Sequence, residues 1–124
     1  TDLEEKVEHY KYLYDYSRNG NYMFMKDRHK RDCFEDWLLG NGSSASSAAY
    51  NACYIPLLKI LKNALSYVTK GQTENLYDIL SKKDLDAIRM YVAHSYIRSG
   101  PPIKYLKVID QYIDYLIYTG QIKP

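Results

Sequence analysis

Apolar residues recur at helical spacing through most of this chain, while strand-type alternation is weak throughout. The strongest stripe is Leu57, Leu58, Ile60, Leu61, Leu65 and Val68, which runs to Gly71. A second stripe, Ile103, Leu106, Ile109, Ile113, Leu116 and Ile117, closes at Gly120. Such periodicity puts one face of each segment against a core and turns the other to solvent. It predicts an all-α fold. The 124 residues fit one compact domain of about six or seven helices over 1–124.

Start and stop signals divide the stripes. Thr1-x-x-Glu4 has the form of a capping box opening a first helix, with Leu3, Val7, Tyr10 and Tyr14 on one face. Arg18-Asn19-Gly20-Asn21 ends it with a turn. Tyr22-Met23-Phe24-Met25 fits a strand or a helix start, and helix is favoured because no other segment offers a partner strand. Phe34, Trp37 and Leu38 share a helical face before Gly40-Asn41-Gly42, a C-cap and turn. The Ser-rich stretch within 41–47 is a candidate flexible loop, with Ser46 or Ser47 as cap of the next helix. That helix carries Tyr50, Cys53 and Tyr54 and then meets Pro56, where it bends or a new helix begins. Thr73 is placed to cap a short helix holding Leu76, Ile79 and Leu80. Ser81-x-x-Asp84 opens another, burying Leu85, Ile88, Val92 and Ile97 until Gly100-Pro101-Pro102 stops it.

Composition excludes several classes. With 46% apolar residues and a net charge of only +2, the chain is not a disordered tail. Two cysteines cannot build a disulfide scaffold, and Cys33 and Cys53, each flanked by apolar residues, fit reduced thiols in a cytoplasmic protein. No Cys/His cluster marks a metal, and no cofactor is expected. No apolar stretch approaches the roughly 20 residues that span a bilayer, so no membrane is expected. The acidic start lacks the apolar core of a signal peptide, and the missing Met fits trimming or an internal fragment. The 15 Tyr stand out against 2 Phe and 1 Trp, a bias that fits an AT-rich viral or archaeal genome.

Catalytic constellations are absent from the sequence. Asp84 and Asp86 point to different faces of a helix, and Asp110 and Asp114 share a face with Lys107 nearby, as on a solvated surface. His9, His29 and His94 have no partner close in sequence. Cys33 lies near His29 and Arg31 but within no nucleophile motif, and no phosphate-binding glycine loop occurs. The chain is therefore expected to be noncatalytic.

Charge is segregated. Residues 18–31 hold five bases against Asp27, and the blocks 59–70 and 89–107 contain no acid. Lys26, Arg28, His29, Lys30 and Arg31 cluster just after Tyr22 and Phe24. Such a block is a solvated face, a contact for an acidic protein partner, or a nucleic-acid contact, in which cations meet phosphates and aromatic rings stack on unpaired bases. Arg89, Arg98 and Lys104 extend the basic surface if the fold gathers them. Tyr10, Tyr12, Tyr14 and Tyr16 wrap half a helix, which leaves Tyr12 and Tyr16 as either core or exposed contact residues.

The run Arg31-Asp32-Cys33-Phe34-Glu35-Asp36-Trp37-Leu38-Leu39-Gly40-Asn41-Gly42 is followed by a Ser-rich turn, Ala49-Tyr50-Asn51-Ala52 and Leu57-Leu58-Lys59-Ile60-Leu61. It resembles the helical C-terminal domain of the archaeal and eukaryotic primase large subunit. The resemblance covers about 30 residues, and no diagnostic signature of that domain is reproduced. That domain holds an iron–sulfur cluster on four cysteines, of which only Cys33 has a counterpart here. The nearer likeness is to the cluster-free accessory subunit of archaeal primases. The resemblance implies a noncatalytic subunit in primer synthesis during DNA replication. Its partners would be the catalytic and large primase subunits. It would bind single-stranded DNA, primer-template or nucleotide, with Asn51 and the Arg28–Arg31 region as contacts. The alternative is a helical protein–protein interaction module, of viral origin on composition, with no nucleic-acid binding.

Overall fold

The computed structural model describes residues 28–95 and 102–124, together with the backbone but not the side chain of Arg28. Among these residues all regular structure is helical and no strand occurs. The elements are α1 (Arg28–Gly40), α2 (Ala45–Ala49), a π-helical turn (Tyr50–Tyr54), a 3-10 turn (Ile55–Leu57), α3 (Lys59–Val68), a second 3-10 turn (Leu76–Asp78), α4 (Lys82–Ala93) and α5 (Ile103–Tyr118). The expected first helix, the Tyr22–Met25 run and Ile97 lie outside the described residues. The chain divides into two compact units, 1–54 and 55–124.

In the first unit α1 packs against α2 and the π turn. Phe34 and Leu38, one turn apart on α1, are buried, as are Ala48, Ala49 and Ala52 on the elements that α1 packs against. Asn41 and Gly42 end α1 much as the Gly-Asn-Gly run predicts. The Asn41 side chain donates to the Trp37 carbonyl at 2.7 Å, and Gly42 takes φ +96°, a conformation that other residues adopt at a cost. The Ser-rich segment differs from expectation. Ser44, not Ser46 or Ser47, caps α2, its hydroxyl accepting from the Ser47 N–H at 3.2 Å. Residues 45–47 of the expected loop are therefore already helical.

In the second unit α4 packs against both α3 and α5, and the 3-10 turn at Ile55–Leu57 packs against α3 and α5. Pro56 sits in that tight turn, and a new helix begins at Lys59, so the helix neither continues nor bends through it. Leu61, Ala64 and Leu65 are the buried face of α3, and Leu85, Ile88 and Val92 that of α4. Ser81 caps α4, accepting from the Asp84 N–H at 3.3 Å, as its sequence pattern predicts. The short helix expected after Thr73 is a single 3-10 turn. Asn75 caps it, accepting from the Tyr77 N–H at 3.0 Å, while the Thr73 hydroxyl ties the loop to Asp78 at 2.7 Å. Leu80 is exposed.

The buried face of α5 is turned relative to the aliphatic stripe. Ile103 is 66% exposed, whereas Tyr105, Tyr112 and Tyr115 are buried beside Val108, Ile109 and Leu116. Tyr112 meets Tyr77 edge to face at 5.6 Å and donates its hydroxyl to the Ile79 carbonyl at 3.2 Å. The ring fills core volume while the buried hydroxyl is satisfied by backbone. Four of the nine described tyrosines, Tyr77, Tyr105, Tyr112 and Tyr115, are thus core material.

Candidate nucleic-acid interface

The residues expected to touch nucleic acid have diverse fates. Tyr22, Lys26 and Arg98 lie outside the described residues, as does the Arg28 side chain. His29 and Lys30 are exposed at the start of α1. His29 Nε2 lies 3.7 Å from the Cys33 sulfur, one turn along. Arg31 is buried to 4% exposure, its Nη2 and Nε donating to Asp32 at 2.9 and 3.2 Å. Asn51 is 6% exposed within the π turn. Both are thus buried, where a phosphate or nucleotide contact would call for open surface. The cause is position: Arg31 and Glu35 are one turn apart on the inward side of α1, and Glu35 is also fully buried. Glu35 accepts a long contact, 3.9 Å, from the buried Cys53 thiol. Cys33 is half-buried, and both cysteines are free.

Arg89 is exposed but is not an open cation. Its Nε and Nη2 donate to the two Asp110 oxygens at 2.7 and 3.3 Å, joining α4 to α5. The Asp110 hydrogen bond and charge, with Asp86 adding a smaller effect, raise the Arg89 pKa above its ordinary value. The block 89–107 is free of acid in sequence but not in space. Lys104 is exposed and lies over the Tyr105 ring at 5.3 Å. Asp110 and Asp114 line a shallow concavity with Ile103, Leu106, Lys107 and Gln111, among which there is no histidine.

A groove of about 780 Å³ lies between α3 and α4 in the second unit. Ile60, Asn63 and Tyr67 line it from α3, spaced three and four residues apart so that they share a face. Ala87, Met90, Tyr91 and His94 line it from the α4 side. The Tyr67 and Tyr91 rings pack at 4.9 Å with a 33° tilt. Tyr67 is nevertheless 71% exposed and Met90 64% exposed. Among the described residues nothing hydrogen-bonds to the Asn63 amide, the His94 ring or the Tyr67 and Tyr91 hydroxyls. An apolar floor with a few unengaged polar groups is the usual makeup of a binding site.

Charge completes the site. α3 carries Lys59 and Lys62 and no acid, and Lys70 follows directly. None of the three is ion-paired with a described residue, unlike Lys82, which holds Asp86 at 3.0 Å. Lys59, Asn63 and Tyr67 recur every fourth residue and form one exposed edge. The second unit has ten basic and six acidic residues, a net +4, while the first has seven and nine, a net −2. The sequence flagged the 59–70 block but not the ring beside it. Tyr67 lies off the buried stripe of its helix, and that was the available signal.

Among the described residues no group of three or more His, Cys, Asp or Glu could hold a metal ion, and no helix is long and apolar enough to cross a membrane. Comparison with protein-family models, with curated proteins and with solved structures finds no match to the chain.

Proposed function

We propose that the chain is a noncatalytic, all-helical accessory module that binds single-stranded nucleic acid through the α3/α4 face of its second unit. The observation that carries this reading is exposed Tyr67, packed on half-buried Tyr91, on a helix whose charges are all positive and unpaired among the described residues. Unspecific single-strand binding uses those two parts: cations that follow the backbone and aromatic rings that stack bases, each stacked base worth about 1–3 kcal/mol. Lys104 is an exposed cation of the same unit that adds to the long-range attraction. A place in DNA replication, beside the catalytic and large subunits of a primase in the cytoplasm, rests on the resemblance over residues 31–61 and on composition. The test is titration of labelled single-stranded DNA at low and at physiological salt. Binding that weakens with salt and weakens further in Tyr67→Ala is the expected result. Undetectable binding at low salt ends the proposal.

A second reading, an interaction module for a protein partner, is favoured by exposed Met90 over Ile60 and Ala87. It predicts a salt-resistant oligomer or complex with no affinity for DNA, readable by size measurement.

A further inference from the structure

We infer that the α3/α4 face takes a short footprint: one unpaired base stacked on the outer face of Tyr67, and a strand of no more than about five nucleotides along α3. The inference rests on the nucleic-acid reading above and specifies how that site is occupied.

Ring geometry limits the number of stacked bases. A base inserted between Tyr67 and Tyr91 needs the rings held apart by two stacking intervals, about 7 Å at the duplex spacing of roughly 3.4 Å. The rings are 4.9 Å apart and already in contact. One face of Tyr67 is thus closed by Tyr91, and its 71% exposure leaves the other open. The site therefore stacks one base on the outside and does not clamp it. Tyr91 supports the platform from behind.

Cation spacing limits the length of strand. Lys59 precedes Asn63 by one turn, Asn63 precedes Tyr67 by one turn, and Lys70 follows at the end of the helix. From Lys59 to Val68 the helix rises roughly 14 Å at 1.5 Å per residue, and Lys70 lies just beyond it in the terminating turn. At about 3.4 Å per nucleotide that distance is matched by about five nucleotides, and by fewer if the strand is extended. Lys59 and Lys70 are placed to meet phosphates on either side of the stacked base, with half-buried Lys62 as a third cation. The Asn63 amide, unengaged among the described residues, lies on the same edge and offers both a donor and an acceptor to a base. Every base can satisfy one such pair, so this contact confers little sequence preference.

The experiment uses the full chain and a series of labelled oligodeoxynucleotides from 2 to 16 residues. Affinity is expected to level off by about five nucleotides. Two or three phosphate contacts predict a slope of log affinity on log salt between about −1.4 and −2.1. Tyr67→Phe should bind as the unchanged chain does, and Tyr67→Ala should bind roughly 5- to 100-fold more weakly. Tyr67 is exposed, so circular dichroism should show both variants folded. Affinity that keeps rising beyond ten nucleotides, or a slope steeper than about −4, overturns the short footprint while leaving nucleic-acid binding intact. Equal affinity of Tyr67→Ala and the unchanged chain overturns the stacking site. No binding at any length overturns both this inference and the reading beneath it.

Discussion

Lys70 holds φ +55°, the only non-glycine in the left-handed region among the described residues, and Gly71 follows at φ +81°. The pair terminates α3, with the Gly71 N–H donating to the Ser66 carbonyl at 2.7 Å. A side chain in that conformation costs about 1 kcal/mol that glycine does not incur. Lys70→Gly is therefore expected to raise stability by about 0.5–1 kcal/mol in urea unfolding, while weakening single-strand binding through loss of one cation. A variant that gains stability and keeps its full affinity and salt slope removes Lys70 from the interface. The same scale shows the limits of sequence reading. Arg31 sits in a basic block that suggests solvent, yet burial beside Glu35 is a property of the helix face it occupies. Asn51 likewise has a side chain suited to a ligand, but the π turn directs it inward.

Among the elements, those with strong periodicity or a capping residue were legible. Ser81 caps α4, Leu85, Ile88 and Val92 face the core, and α5 stops at Gly120, because each depends on neighbours within a turn or two. Elements governed by distant packing were not. The aliphatic stripe of α5 suggests the wrong edge of its buried face because tyrosines fill the space against Tyr77 and Ile79. Arg89 looks like an open cation until α5 brings Asp110 to it from 21 residues away. Because its pKa is raised, Arg89 stays charged in the folded chain, and the pair's contribution is lost only as pH rises past the ordinary arginine range. Near neutral pH the bridge is insensitive to pH on the arginine side. Removing the carboxylate is more informative. Asp110→Asn should release a cation on α4, tightening DNA binding and steepening the salt slope by up to about 0.7. Removing both charges together, in Arg89→Gln with Asp110→Asn, should change neither quantity. Loss of affinity in that double variant would show that the guanidinium touches the strand.

At the scale of the molecule, the near balance of 17 bases and 15 acids conceals a sorting of charge between the units, −2 in the first and +4 in the second. The all-helical class followed from periodicity alone. The location of the proposed site did not, since the candidate block at 22–31 lies in the unit whose net charge is negative. Binding should therefore perturb the second unit selectively. Amide chemical shifts recorded on the full chain during titration with a short single strand are expected to move within residues 59–95 and stay still within 32–54. Shifts concentrated at His29 and Lys30 would return the site to the first block.

The π turn at Tyr50–Tyr54 has a further consequence, for insertions and deletions. A π turn is an α-helical path with one residue too many. Here the surplus falls where Asn51, Ala52 and Cys53 are consecutive and all buried. Each residue added to or taken from an α-helix rotates the downstream turns by about 100°. A single deletion in this stretch would regularise the backbone and yet swing a buried side chain out of the core that Phe34 and Leu38 fill. Substitutions of similar size are the milder change. Natural variants of this chain should therefore differ in the identity of these five residues far more readily than in their number.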